Sequence, residues 1–556
     1  MSEVNEKQNW IIWGTLFALA ALIRFLNLGL PPLSSTEAAV VLPALNLANH
    51  STAGSFADTL YTLITALTFY LQSESGVMAR MLPAISGSLL VISPLFFRKY
   101  LPGKTPYILA YLIMLDPASV AASRQAGSTT LALLAIMILL YGIVENHKSA
   151  LAIGLVGVLL TGPSSWIYAL PVAAALLIAV FSSGIKPSLS KISIAETWPV
   201  LAILVASATL LFIYPVGLGS VGEGIARLFK SDISTASISF IPLILLLLAT
   251  QPLGFVLGLV RIIRSRLENS VDLFLAAWFV FAIIIAAINP NRTPLDLVNI
   301  TLPLLALASR NLQGLTADRP VWSWQTLALA TVVLAFLVFI WLRVLSFANP
   351  AAQQASDLIL AASILLPILL IAGASLIVSW WVDTRTALTG LAFGIIAAAF
   401  IWTSSFAWHA TGLPQNGWSD IWRSSGLFLQ ENALRSTLGQ LSTWQTREDF
   451  SLELNVVNMD DPLMRWALRD YSNAKFAHVV DKASSSAVVL TPEDITPNDP
   501  LAYQGQSFVR LQSYPLNDLT PVQWFDWLTS KQLPKEQTNL VLWARSDLFP
   551  NGTAKP

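Results

Sequence analysis

Cysteine is absent from the 556 residues, histidine occurs only four times, and charged side chains make up just 12%. Without cysteine there are no disulfides, thiolate metal sites, iron–sulfur ligands or cysteine nucleophile. A soluble chain of this length would be about a quarter charged, so a wholly soluble fold is excluded. Basic and acidic residues balance at 32 each, and no basic patch of the kind nucleic acid requires is present. No nucleic-acid partner is therefore expected. The loops also lack the closely spaced carboxylates that an octahedral cation needs, so no metal is expected.

What fills the chain instead is apolar: 55% of residues are hydrophobic. Apolar runs long enough to cross a bilayer lie near 10–30, 77–97, 105–122, 126–144, 149–162, 164–182 and 196–216. Others lie near 237–262, 271–289, 295–311, 324–346, 356–381 and 386–408, about thirteen in all. The run from Trp10 to Leu30 has no small-residue cleavage site behind it and reads as a retained first helix. Segments 37–50 and 56–73 are apolar but broken by Asn46, His50, Asp58 and Gln72, which suits helices lying in the interface. After Ala410 the composition changes, with about 12 basic and about 16 acidic residues in the remainder. The expected organisation is a transmembrane domain over 1–408 and a water-soluble α/β domain over 409–556. In the latter, strands are expected near 486–490 and 539–543, and helices at 420–436 and 521–531. Its seven tryptophans read mainly as core.

Orientation follows from lysine and arginine. With the N-terminus cytoplasmic, the inner loops hold Arg98, Lys99, Lys104, Lys148, Lys186, Lys191, Arg261, Arg264, Arg266, Arg310, Arg319 and Arg385. The outer loops hold fewer: Arg124, Arg227, Lys230 and Arg292. An odd number of spans then puts the tail outside an inner or plasma membrane.

Several short strings, in this order and spacing, resemble the GT-C superfamily of membrane glycosyltransferases. They are Arg24 to Gly29 (RFLNLG), Pro31 to Ala38 (PPLSSTEA), Gly76 to Gly87 (GVMARMLPAISG) and Ser123-Arg124. In the tail, Asp461 to Tyr471 (DPLMRWALRDY) and Leu540 to Leu548 (LVLWARSDL) are similar to a bacterial and archaeal branch. Protein O-mannosyltransferases and the lipid A aminoarabinose transferase belong to this superfamily, and the oligosaccharyltransferase catalytic subunit shares its architecture. The resemblance implies transfer of a sugar from a polyprenyl-phosphate donor to an acceptor at the outer face. It implies no cofactor beyond that donor, and membrane lipid and other membrane subunits as partners.

Such a reaction needs a carboxylate to take the acceptor's proton and cations for the departing phosphate. Glu37 is the leading acid; it also fits a capping box with Ser34, and both readings stay open. Asp58 is the second acid, or an N-cap. Arg124 suits a phosphate, or snorkels to the interface. Arg80, just inside a span, is expected to pair with Glu37, Asp58 or Glu74, and Arg227, Lys230 and Arg292 to face a lipid phosphate or ordinary headgroups. Asp116 sits in an apolar run, either functional or solvated near the outer edge. The departures fall at the chemistry. Thr36 replaces the first acid of the family's Asp-Glu pair, Ala57-Asp58-Thr59 replaces a His/Lys-Pro-Pro string, and Ser128 stands where the branch carries an acid. Three readings follow: an active transferase using Glu37, a non-catalytic relative serving as a binding or assembly subunit, and a transporter. The last lacks, at the level of sequence, the paired broken spans typical of that class.

Overall fold

A computed structural model describes residues 2–50, 58–183, 237–317, 323–347, 357–412, 420–423, 425–478, 486–497 and 502–549, with isolated positions between 202 and 219. The expected span at 196–216, with Arg227 and Lys230, lies essentially outside the described residues.

The chain is an integral membrane protein, mostly helical, with a small C-terminal sheet. Apolar helices follow one another as predicted: α1 (Ser2–Phe25), α2 (Ser35–Ala48), α3 (Thr59–Leu71), α4 (Gly76–Ile92), α5 (Thr105–Met114), α6 (Pro117–Ser123), α7 (Thr129–Val144), α8 (Lys148–Leu160) and α9 (Pro163–Ser183). Beyond the undescribed stretch come α10 (Phe240–Thr250), α11 (Pro252–Ser265), α12 (Ser270–Ile288), α13 (Leu297–Ala317), α14 (Trp324–Phe347), α15 (Asp357–Trp381) and α16 (Thr384–Ala410). Among the described residues, six helices are long and apolar enough to cross a membrane, or eight if each of two bent pairs is one span. The expectation of about thirteen also includes the span near 196–216, outside the described residues, and elements such as α7 and α8, which are shorter than a full span.

The bent pairs were not legible in the apolar pattern. α5 and α6 meet at 60°, α10 and α11 at 94°. In each, proline occupies the first position of the second helix, where its missing N–H costs nothing, after a polar residue, Asp116 or Gln251. The two breaks touch. Gln251 Nε2 donates to Asp116 Oδ1 at 2.6 Å, Thr301 Oγ1 on α13 donates to Oδ2 at 3.0 Å, and Oδ2 caps α6 by accepting the Ser119 N–H at 2.9 Å. Asp116 is fully buried in this layer, not solvated at an edge.

Small residues let helices approach where the packing requires it. A Cβ on Gly87 of α4 would lie 2.4 Å from Ser123 Cβ on α6, and one on Gly394 of α16 would lie 2.6 Å from Val333 Cβ on α14.

The tail holds α17 (Glu431–Thr446), β1 (Leu454–Val457), α18 (Pro462–Ala467), β2 (Ala474–Ala477), β3 (Val488–Pro492), β4 (Tyr503–Ser513), α19 (Pro521–Ser530) and β5 (Glu536–Arg545). The sheet order is β2-β1-β3-β5-β4. β1 runs parallel to β2 and β3, while β5 runs antiparallel to β3 and β4. The predicted strands and the helix at 521–531 are present. The helix predicted over 420–436 is not: a short 3-10 turn, Ile421–Arg423, leads into an extended strap, and α17 begins only at Glu431. Gly426, at φ +93°, breaks the helical path, and Leu427 bridges Ser34 on one side and Gln512 on the other. Trp422, Trp466, Trp524 and Trp527 are buried as core, whereas Trp444 is exposed.

The loop helices belong to the tail's core as much as to the membrane domain. Leu33, Val41, Tyr61 and Phe69 share one buried cluster with Leu438, Met464, Trp466 and Leu490. Asp461 caps α18 by accepting the Met464 N–H at 3.0 Å and pairs with Arg510. Arg469 then stacks on Trp466 at 4.1 Å and donates from Nε to the Glu74 carbonyl at 3.2 Å. The tail motif is thus a clasp onto the first loop.

Candidate functional site

The loop before α2 is organised by one buried ion pair. Ser34 is the N-cap, and Ser34 and Glu37 complete the capping box that the sequence spacing allowed. The same carboxylate reaches much further. Arg80 donates from Nε to Glu37 Oε1 at 2.7 Å and from Nη2 to Oε2 at 2.9 Å. The Ala126 N–H donates to Oε1 at 2.8 Å, the Ser34 N–H to Oε2 at 2.9 Å, and Arg423 Nε stands 3.8 Å from Oε2. Arg80 spends its other donors on the carbonyls of Leu28, Pro31 and Pro32, at 3.1, 2.8 and 2.9 Å. Burial alone would raise the Glu37 pKa; the charge and hydrogen bonds of Arg80, then Arg423, outweigh it and hold the carboxyl down at about 2. Of the three acids open to Arg80, Glu37 is the partner. The pair is fully enclosed, with side chains 0% and 1% exposed.

Arg124 turns inward. Its Nη1 donates to the carbonyls of Ile23 and Arg24 at 2.9 Å each, and Nη2 reaches the Asn27 carbonyl at 3.4 Å. The Ile23 and Arg24 carbonyls lie in the last turn of α1, so the guanidinium acts as a C-cap instead of snorkelling, and the Asn27 carbonyl beyond it also accepts the Leu30 N–H. Arg292 makes similar contacts, to the carbonyls of Ala286 and Ala287 near the end of α12. Asp58 occupies the N-cap position of α3 without capping it; instead its Oδ1 accepts from Ser128 Oγ at 2.6 Å. Thr36 meets the strap, its hydroxyl 2.9 Å from Ser425 Oγ, while Ser35 Oγ donates to the Ser425 carbonyl at 2.6 Å.

The space that remains open lies beside this loop. A cavity of about 450 Å³ runs between Pro31-Pro32, the end of α16 and the tail. Its charged lining is Asp420, Arg423, Glu431, Lys531 and Lys535, with His409 at the end of α16 and Trp422, Tyr514 and Trp527 as aromatic walls. Arg423 bonds Asp420 and is pinned over the loop; Gln125 Nε2 holds the neighbouring Trp422 carbonyl at 3.1 Å. Burial raises the Glu431 pKa, opposed by Arg469 3.6 Å away. Burial lowers that of Lys531 to about 8. The Lys531 ammonium lies 3.8 Å from the centroid of the Phe406 ring and donates to the Leu528 carbonyl at 3.0 Å. None of these five charged residues was a candidate from sequence. Their only signal is chemical, two acids, an arginine and two lysines in a mildly acidic domain, and nothing local says that they face one cavity.

A helical bundle, a first loop carrying two apolar helices, and a tail clasped over that loop define the fold of this membrane protein, and solved structures share it. The solved structures to which the chain is similar include ArnT from Cupriavidus metallidurans in the apo state, at 13% identity and a TM-score of 0.53 over 99% of this chain and 100% of that one. The same protein bound to undecaprenyl phosphate matches at 12% identity and a TM-score of 0.51, over 98% and 99% of the two chains. What is shared at such identities is the fold. No family model and no curated protein matches the chain.

Proposed function

We propose that the chain transfers a glycosyl group from a polyprenyl-phosphate donor to a hydroxyl acceptor at the extracytoplasmic face. The carrying observation is the cavity between the end of α16 and the tail, whose walls combine acids with several cations. The ArnT structure that holds undecaprenyl phosphate supports the class of donor. The lysine and arginine bias of the loops supports a cytoplasmic N-terminus and an outer tail.

In this reading the acceptor oxygen bonds to the donor's anomeric carbon as the bond from that carbon to the phosphate oxygen breaks. The acceptor proton passes to Glu431, whose burial makes it a stronger base than an exposed carboxylate. The phosphate leaves with its charge held by Lys531 and Lys535. Glu37 and Arg80 set the loop and Arg423 in place; Asp58, tied to Ser128, is a second loop acid. Transfer from a labelled polyprenyl-phosphate sugar by purified protein in nanodiscs tests this. Glu431→Gln is expected to lower turnover by ~10²–10⁴-fold; full activity in that variant removes Glu431 from the mechanism.

A second reading rests on Thr36, where the resemblance calls for an acid and where Ser425 closes over the hydroxyl. It makes the chain a non-catalytic polyprenyl-phosphate-binding subunit. Donor binding without any transfer, together with stable co-purification of other membrane proteins, would select it.

A further inference from the structure

A second cavity, of about 480 Å³, lies at the opposite end of the bundle. Its walls include Phe97, Leu140, Val180, Phe274, Trp278 and Ala306. Ser93, Pro94 and Phe97 of its wall follow the C-terminal end of α4, whose other end starts next to Glu74, which Arg469 of the tail holds. Its inner limit is Ile113 and Leu302, close in sequence to Asp116 and Thr301 of the buried polar layer. The cavity is therefore separate from the one proposed for catalysis.

Protein interiors are close-packed, and a void of this size with apolar walls does not hold water. In a bilayer the apolar molecule at hand is a lipid chain. The mouth says which lipid. It opens at Tyr100 and Asn146, both exposed. Beside it a single buried carboxylate, Asp272, is shared by two guanidiniums: Arg310 Nε at 2.6 Å and Arg261 Nη2 at 2.7 Å. Arg310 also donates to the Tyr100 carbonyl at 3.1 Å. Two arginines on one acid leave one positive charge uncompensated at the rim. Exposed Arg98, Lys99 and Lys148 flank lining residues in the chain and add to it, against Glu145, which Lys99 already pairs, and exposed Glu268.

We infer that this cavity binds one acyl chain of an anionic glycerophospholipid from the leaflet opposite the tail, the phosphate resting on the Arg261–Asp272–Arg310 cluster. The site does not depend on the proposed transfer reaction. Full-length protein in nanodiscs of phosphatidylcholine doped with phosphatidylglycerol, released and weighed by native mass spectrometry, tests it. Wild type retains phosphatidylglycerol in preference to phosphatidylcholine. Neutralising one rim charge, Arg261→Gln or the exposed Arg98→Gln, cuts that preference by about fivefold. Ala306→Phe, which fills the cavity, removes the retained lipid; if that variant does not fold, the rim variants decide. Equal retention of the zwitterionic lipid, an unchanged preference in the rim variants, retention by folded Ala306→Phe, or displacement by added polyprenyl phosphate overturns the proposal.

Discussion

Replacing Glu37 by glutamine keeps the shape of the side chain and removes its charge from a site enclosed on every side. Arg80 would then be a buried cation with only carbonyl and amide partners. Removing one member of a buried ion pair costs ~3–5 kcal/mol. The lowered pKa of Glu37, caused by the same pairing with Arg80, points the same way. Its carboxyl is held at about 2 in the fold against an ordinary 4.5, which at ~1.4 kcal/mol per pH unit is about 3 kcal/mol. Because the folded carboxyl binds its proton less tightly than the unfolded one, that stability is complete above pH 4.5 and is lost as pH falls towards about 2. Thermal unfolding of the purified protein, followed across this pH range, is the assay. Wild type should lose stability on acidification, whereas Glu37→Gln should start lower at neutral pH and change less. Replacing both partners, Glu37→Leu with Arg80→Met, should recover part of the loss, since no charge is then stranded. If Glu37→Gln unfolds at the wild-type midpoint with the wild-type acid response, the pair does not hold the loop and the argument fails.

The other predictions concern packing, docking and binding. Gly87→Ala puts a methyl 2.4 Å from Ser123 Cβ, so α4 and α6 must separate, at ~1–3 kcal/mol; an unchanged unfolding midpoint would mean that the contact relaxes freely. Arg469→Ala removes the bond to the Glu74 carbonyl and the stack on Trp466, worth ~1–3 kcal/mol together. Limited proteolysis should then cut the tail or the first loop faster, and equal rates would argue against the clasp. Lys531 is charged only below about pH 8, so polyprenyl-phosphate binding should weaken as pH rises through that value, and Lys531→Gln should abolish the step. Persistence of the step in the variant would assign it to another group.

Much of the architecture could be read from local chemistry. Apolar runs, their breaks and the change of composition after Ala410 mark the helices, the loop elements and the tail, because each is decided by residues within a few turns of one another. The Ser34–Glu37 capping box is of the same kind, set by a spacing of three. The Arg80 pairing was legible in part, since an arginine inside a span must find an acid and only three were near in sequence. Composition and periodicity, however, record which groups leave water and not which groups they meet. An arginine at the end of a span can reach headgroups, hold a phosphate or cap a helix; for Arg124 the choice was made by carbonyls about a hundred residues earlier. Asp116 read as an edge residue until Gln251 and Thr301 closed around it. The cavity beside the tail draws on Pro31, His409, Asp420, Glu431 and Lys531, brought together only when the strap crosses the first loop. The sequence by itself determined a membrane bundle followed by an α/β tail. Tertiary packing alone decided that Glu37 is sealed and that the open carboxylates belong to the tail.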